Sequence, residues 1–449
     1  MRDATDGAAA AVRGAPGSSW RSRLFGRDAG GVFRGMLTLA TGGVAAKLVG
    51  LATIPVITRL YTPAQMGVFT TFVALVAVLA PLATLRYLTV LPVPRRDATA
   101  ANLLALNLCI LLLVSIVLGL TAASVGPRLL AAASLDALAP YALLIAPAVA
   151  LAALYETLSL WSVRHKAYRP LAVSQAGQAM LGSALKIGLG LAGLKPAGLL
   201  IGQLAQQGGG SLWLLGSGAR ALRTHRRRIR WPTMAKLARH FRDMPRYRLP
   251  SHLLMMASLQ GPAIFAAQVF GMDTAGQLGL ALTTMAVPIT LLGTSTGNAY
   301  FAEISAIGRN EPARVLAITR AVTRRLLVLA APPTLALAVA GPWLFATVFG
   351  ASWAPAGEFA RLLSIYLMFQ FVSSPLANAL TLFRRQDLFF RMNAVRFALV
   401  AATFLVAAGS GWSAGRTVLV YAVLMALHYA ISNRVIYGVI RHHIPGDGR

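Results

Sequence analysis

Twelve apolar runs, separated by short polar and basic segments, make up most of the chain from residue 36 onward. Each run holds about 20 residues, the length of helix needed to cross the roughly 30 Å hydrocarbon core of a bilayer. The pattern therefore predicts an all-α polytopic membrane protein with about 12 transmembrane helices. The predicted spans are 36–57, 67–91, 101–123, 138–161, 171–191, 198–217, 251–270, 276–301, 326–349, 358–382, 392–408 and 417–436.

The segments between these runs differ in charge from one side to the other. With the N-terminus inside, 32 of the 42 Lys and Arg residues fall in inner segments and four in outer loops. Cytoplasmic loops are rich in Lys and Arg, so we expect a bacterial inner-membrane protein with both termini in the cytoplasm. The longest inner segment divides the spans six and six. The expected organisation is a disordered cytoplasmic tail at 1–33, a six-helix bundle at 34–218, a basic cytoplasmic linker at 219–249, a second six-helix bundle at 250–440 and a tail at 441–449.

Composition agrees with a membrane protein and excludes other classes. Hydrophobic residues make up 57% of the chain and charged residues 12%, against about 25% charged residues in soluble proteins. The net charge of +29 does not indicate a nucleic-acid partner, because the basic residues are confined to the short segments. A single cysteine, Cys109, excludes a disulfide within the chain. No apolar signal sequence precedes the first run.

The basic linker contains an amphipathic segment. At helical spacing, Met234, Leu237, Phe241 and Met244 share one face, and the basic residues lie elsewhere. Two interpretations remain open: a helix lying on an anionic leaflet, or a solvated basic connector.

A charged residue inside a span costs free energy that increases with its depth in the membrane. We therefore rank these residues as candidates for a functional role by their depth. Lys47 lies about ten residues from either end of the first span, near the midplane. Gly43 and Gly50 on the same face leave room for a neighbour or a ligand. We expect Lys47 to contact a substrate; the alternative is a lysine paired to a carboxylate or to carbonyl groups.

Lys186 lies about six residues from the outer end of the fifth span. Gln175, Gln178 and Gly182 continue its face at helical spacing. This polar stripe predicts a face turned toward a cavity or another helix, and Lys186 is a second candidate for contact with a substrate.

The other charges in the spans lie closer to the ends. Arg86, Arg361 and Arg396 can reach an interface by snorkelling, so a structural role is favoured for them, and Arg59 is a candidate interfacial anchor. Glu156 is the one carboxylate well inside a span. It is a candidate for coupling transport to protons or sodium, although a local ion pair is favoured. Six cations against one acid suit an anionic passenger, such as a diphosphate or an acidic sugar.

Several stretches resemble the Wzx-like oligosaccharide flippases. They belong to the polysaccharide biosynthesis and export family of the multidrug/oligosaccharidyl-lipid/polysaccharide exporter superfamily. The resemblance extends from about residue 33 to 437 and is based on the order and spacing of these motifs. The matching stretches are 57–69 (ITRLYTPAQMGVF), 155–168, 244–251, 321–325, 341–342 and 348–353.

This resemblance implies a MATE-like V of two six-helix bundles around a central cavity. It implies the export of polyprenyl-diphosphate-linked oligosaccharide repeat units for O-antigen, capsule or exopolysaccharide synthesis. The partners it implies are this lipid-linked oligosaccharide, membrane lipid, a polysaccharide polymerase and a chain-length regulator. Helices one, two, seven and eight line the cavity in this architecture. The implied cavity residues are therefore Lys47, Arg86, Gln260 and Asn298, with Arg59 carried over in its turn motif.

Two other functions are less well supported by the sequence. A MATE-like drug/cation antiporter needs carboxylates inside the membrane to hold cations, and this chain offers one. A membrane polysaccharide polymerase or ligase needs a sizeable outer loop, and the outer loops are short. No HExxH, GxSxG or phosphate-loop motif is present. The sequence therefore predicts a transporter, with no enzymatic activity, metal or cofactor.

Overall fold

The computed structural model describes residues 27–288, 290 and 293–444, and this part of the chain is helical, with no strand. The helices, in chain order, are α1 (Arg27–Leu60), α2 (Pro63–Leu79), α3 (Asp97–Ser124), α4 (Gly126–Ala132), α5 (Ala142–Arg164), α6 (Tyr168–Leu191), α7 (Ala197–His225), α8 (Trp231–His240), α9 (Leu249–Pro288), α10 (Thr294–Ile307), α11 (Pro312–Phe349), α12 (Ala354–Leu376), α13 (Asn378–Leu382), α14 (Gln386–Ser410) and α15 (Ala414–His442).

Within the described residues, nine helical segments are long and apolar enough to cross a membrane. One of them, Met244–Val287, spans 44 residues and breaks at Gly271, where φ is +83°. It therefore covers the predicted seventh span and the first part of the eighth. Helices α6 and α7 match the predicted fifth and sixth spans but are not among the nine, because their glutamines and glycines lower their mean hydropathy. The multi-pass helical architecture is confirmed, whereas the count of twelve is not fully confirmed.

The predicted second span does not continue as one helix to residue 91. Thr62 caps the start of α2 through a reciprocal pair of hydrogen bonds with Gln65, and Pro63 occupies the first turn. Helix α2 ends at Leu79, and two 3₁₀ segments follow. Leu85 and Arg86 between them adopt left-handed backbone conformations, with φ of 45° and 61°. The length of an apolar run in the sequence does not reveal such a break in the helix.

The flanking segments also contain more helix than the sequence predicts. Helix α1 begins at Arg27, inside the segment expected to be a disordered tail; residues 1–26 and 445–449 lie outside the described part. In the linker, Met234 on α8 packs against Leu88, Leu91 and Leu103. Leu237, Phe241 and Met244 are partly buried against the same cluster. This apolar face therefore packs on protein, and its contact with a lipid leaflet stays a prediction.

The outward faces of the long helices are apolar. On α3, Leu112, Leu113 and Leu120 are all more than half exposed, and the thiol of Cys109 is exposed on the same helix. Several exposed leucines on one helix indicate a surface that faces lipid, where exposure of an apolar side chain costs no free energy.

Two groups of helices, α1–α7 and α9–α15, meet chiefly where α2 crosses α9. At this crossing, a side chain on Gly67 would overlap the carbonyl group of Met272, and one on Gly276 would overlap the carbonyl group of Pro63. We call this reciprocal contact of Pro63, Gly67, Met272 and Gly276 the seam. Small residues allow two backbones to approach closely, so the seam joins the two groups through backbone atoms.

Two hydrogen bonds support the contact at this end of the molecule. The indole Nε1 of Trp353 donates to the carbonyl oxygen of Thr58 over 2.9 Å. The amide of Gln268 donates to the carbonyl oxygen of Ala133 over 3.0 Å. Each bond joins one helix group to the other.

Candidate functional site

A cavity of about 390 Å³ lies between the two helix groups. It is lined by α1, α2, α6 and α7 from the first group and by α9 from the second. Three of the residues selected from the sequence, Lys47, Lys186 and Gln260, line it together. No carboxylate is among its lining residues in the described chain. We call it the lysine cavity.

Lys186 is buried, with 8% of its surface exposed. Its ammonium group donates to Oε1 of Gln203 over 2.8 Å and to Oε1 of Gln206 over 3.0 Å, and it lies 4.9 Å from the centre of the Phe69 ring. An ammonium group carries three N–H donors. Two amide oxygens and an aromatic face thus stabilise the charge without neutralising it.

Glycines make room for this arrangement between α6 and α7. A Cβ atom on Gly202 would lie 2.5 Å from Cγ of Lys186, and one on Gly182 would lie 2.6 Å from Cβ of Gln206. The backbone of Lys186 is fixed as well, because the hydroxyl of Tyr61 donates to its carbonyl oxygen over 2.7 Å. The turn between α1 and α2 therefore positions a lysine that is 125 residues away in sequence.

Lys47 contrasts with Lys186. Its side chain is exposed on α1, and among the described residues it has no hydrogen-bond or ion-pair partner. The hydroxyls of Thr53 and Ser183, which share a 3.0 Å hydrogen bond, line the same cavity. The cavity thus combines one preorganised cation with one free cation, an arrangement suited to an anion with several oxygen atoms.

Arg86 lies in a different cavity. Its Nη1 donates to Oε1 of Glu156 over 2.9 Å, so Glu156 has the local ion pair that the sequence favours. Arg86 lines a cavity of about 550 Å³ together with Arg248, which directly precedes α9, and His252 on α9. This cavity lies toward the end of the molecule that carries the basic linker, which we call the basic end.

Two of the predicted substrate-cavity residues, Arg59 and Asn298, line neither of these cavities. Arg59 is exposed in the last turn of α1, and Asn298 is exposed on α10. The roles assigned to them, and to Glu156 in ion coupling, stay predictions.

Sequence reasoning did not select several polar groups that the structure brings to cavities. Gln203 and Gln206 are three residues apart and so share one face of α7, a signal that could have marked them. The predicted span 392–408 puts Arg396 close to a helix end, but α14 begins at Gln386, ten residues before Arg396. It lines a further cavity, of about 410 Å³.

Comparison with known proteins gives the fold. A lipid II flippase, MurJ, in an inward closed conformation matches with a TM-score of 0.66 at 12% identity, over 89% of this chain and 87% of that chain. A multidrug resistance MATE family transporter of the MOP superfamily, in an inward-facing conformation, matches with a TM-score of 0.59 at 16% identity, over 90% and 95%. These likenesses confirm the MATE-like helical fold class predicted from the sequence.

The family follows from the sequence itself. No curated protein sequence matches the chain. The family model for polysaccharide biosynthesis proteins matches residues 43–358, which include the seam and the lysine cavity. This range covers well over half of the chain, so the chain belongs to the polysaccharide biosynthesis protein family, as its resemblance to Wzx-like flippases predicts.

Proposed function

We propose that the protein is a flippase that moves polyprenyl-diphosphate-linked oligosaccharide repeat units from the cytoplasmic to the periplasmic leaflet. The units would serve O-antigen, capsule or exopolysaccharide synthesis at a bacterial inner membrane. Transport makes and breaks no covalent bond, so the protein acts as a transporter without enzymatic activity. The polysaccharide family and the fold shared with flippases and MATE transporters support this class.

The observation that carries the proposal is the pair of lysines in one cavity between the helix groups, without a carboxylate among its described lining residues. A diphosphate carries several negative oxygens. Lys47 has no hydrogen-bond or ion-pair partner among the described residues, and Lys186 has a third N–H group beyond its two glutamine bonds. Both can therefore donate to phosphate oxygens in a low-dielectric setting, where charge-assisted hydrogen bonds are strong.

The distribution of contacts supports an alternating mechanism. With the orientation indicated by the Lys and Arg distribution, the seam faces the periplasm and the basic end faces the cytoplasm. The helix groups touch at the seam and enclose the Arg86 cavity toward the basic end. This arrangement supports a state that receives its substrate from the cytoplasmic leaflet. Opening of the seam would then release the substrate on the other side.

A drug/cation antiporter is the alternative with the same fold. Its cavity must hold cationic compounds, which need carboxylates nearby. The lysine cavity offers two cations instead, and Glu156 elsewhere is neutralised by Arg86. The charge of the site therefore favours an anionic substrate.

Deletion of the gene tests the proposal. We expect lipid-linked repeat units to accumulate on the cytoplasmic face and surface polysaccharide to disappear. A Lys47→Ala variant should fail to restore export, whereas Lys47→Arg should restore part of it. Lys236→Ala is the matched control, since Lys236 is an exposed lysine on α8 and should complement fully.

The readouts are surface polysaccharide, lipid-linked sugar and the amount of protein in the membrane. Unchanged polysaccharide and precursors after deletion would overturn the flippase proposal. Full complementation by Lys47→Ala would remove Lys47 from the transport path.

A further inference from the structure

Arg396 lies in a third polar pocket, enclosed by α9, α12, α13, α14 and α15 within the second helix group. The pocket measures about 410 Å³, and we call it the arginine pocket. Its described lining residues include amides and hydroxyls but no carboxylate, among them Gln370, Ser374, Asn378 and Ser432. Met255, Phe389 and Asn393 line both this pocket and the Arg86 cavity, so the two adjoin.

The guanidinium of Arg396 is held by neutral acceptors alone. Its Nε and Nη2 donate to Oγ of Ser258 over 2.9 and 2.6 Å, and Nη2 also donates to Oδ1 of Asn393 over 3.0 Å. Its Nη1 donates to the hydroxyl of Tyr429 over 3.0 Å. These bonds occupy four of the five guanidinium N–H groups, and one N–H of Nη1 remains.

The positive charge of Arg396 therefore has no counter-charge among the described residues. Arg396 is partly buried, and a cation held away from water without a carboxylate partner is costly to retain. The three acceptors come from three helices and hold the guanidinium in one orientation. Such a group is preorganised to receive an anion, because its orientation is set before the anion binds.

We propose that the arginine pocket binds an acidic sugar of the transported glycan, with the sugar carboxylate on Arg396. This inference rests on the proposed function and adds the class of glycan. Amides and hydroxyls such as Gln370 and Asn378 supply donors and acceptors for the ring hydroxyls. The rings of His428 and Tyr429, which also line the pocket, offer surfaces to the apolar faces of a sugar. A bare phosphate needs cationic and N–H donors but neither amide acceptors nor aromatic surfaces, so the lining favours a carboxylated sugar.

Calorimetric titration of the detergent-solubilised full-length protein tests this proposal with three probes: sodium glucuronate, glucose and inorganic phosphate. We expect glucuronate to bind about tenfold or more tightly than either of the others, because it alone offers both a carboxylate and ring hydroxyls. An Arg396→Gln variant should lose most of that advantage. Arg361→Gln is the matched control, because Arg361 pairs with Glu358 over 2.8 Å and lines none of the cavities.

Because Arg396 joins three helices, its substitution could unfold the protein, so a second variant is needed. Ser374 is exposed at the pocket wall and makes no hydrogen bond to the described residues. Ser374→Asp places a negative charge in the pocket with the Arg396 bonds intact. It should weaken glucuronate binding about tenfold and leave glucose binding within about twofold. Equal glucuronate binding in wild type and Ser374→Asp would overturn the proposal, and so would phosphate binding as tight as that of glucuronate.

A parallel titration with farnesyl diphosphate separates this proposal from the flippase proposal. Loss of farnesyl diphosphate binding in Lys47→Ala, with glucuronate binding kept, would locate the two ligands in two cavities. If glucuronate binds as expected but gene deletion leaves polysaccharide export intact, the pocket assignment stands and the flippase proposal fails.

Discussion

At the scale of single residues, Lys186 carries its charge between two glutamine amides. Neutral acceptors stabilise an ammonium group less than a carboxylate does, and they leave its field directed at the cavity. The charge of Arg86, in contrast, is neutralised by the ion pair with Glu156. A basic residue inside a span thus forms either a structural ion pair or an unneutralised site, depending on whether its partner is a carboxylate or a neutral acceptor.

Tyr61 offers a test of how Lys186 is positioned. Tyr61→Phe removes the 2.7 Å hydrogen bond to the carbonyl oxygen of Lys186 while keeping the buried ring. We expect unfolding stability to fall by about 0.5–1.5 kcal/mol, measured by thermal unfolding in detergent. Tyr141→Phe is the control, since the Tyr141 hydroxyl has no hydrogen bond within the described chain. Equal stability of the two variants would contradict the bracing role of Tyr61.

At the scale of elements, the crossing of α2 and α9 depends on missing side chains. A Cβ on Gly67 meets the carbonyl group of Met272, and a carbonyl group cannot rotate away as a side chain can. The two helices must separate to admit even one methyl group.

Gly67→Ala is therefore expected to destabilise the protein by about 1–3 kcal/mol, the usual cost of overpacking. Thermal unfolding measures this loss. Gly409→Ala on α14 is the matched control, because a Cβ there meets nothing within 4 Å. A Gly67→Ala variant as stable as wild type would show that the seam is not tightly closed.

The sequence predicts the helices well but their junctions poorly. Length and apolar content are local properties, so runs such as α3 and α14 are found directly. The break after Leu79 depends on the conformations of Leu85 and Arg86, which a run of apolar letters does not encode. The packing of α8 cannot be predicted without knowing the surface that it covers, which includes Leu88, Leu91 and Leu103. Lys47 and Lys186 were selected by depth, but Gln203 could be joined to Lys186 only once α6 and α7 were known to adjoin.

At the scale of the whole molecule, contact is concentrated at the seam and cavity volume extends toward the basic end. Under the proposed function, movement of a substrate through the lysine cavity requires the two helix groups to part at the seam. The hydrogen bond from Gln268 to Ala133 marks a pair of positions where that parting can be blocked.

We expect a Gln268→Cys/Ala133→Cys protein, in a Cys109→Ser background, to lose transport when a short thiol-specific crosslinker joins the two positions. Reduction of a cleavable crosslinker should restore it. The readout is translocation of a fluorescent polyprenyl-diphosphate sugar in liposomes. Each single-cysteine variant, treated in the same way, is the control. Full transport with the crosslink formed would show that this end does not open.

The seam also constrains how the sequence can vary. The obstacle to a side chain at Gly67 or Gly276 is the backbone of the opposite helix, and every amino acid has the same backbone. No second substitution across the contact can therefore compensate for a larger residue. Related sequences should hold both positions as glycine without correlated changes between them. Methods that infer contacts from paired substitutions would then miss this close approach of two backbones.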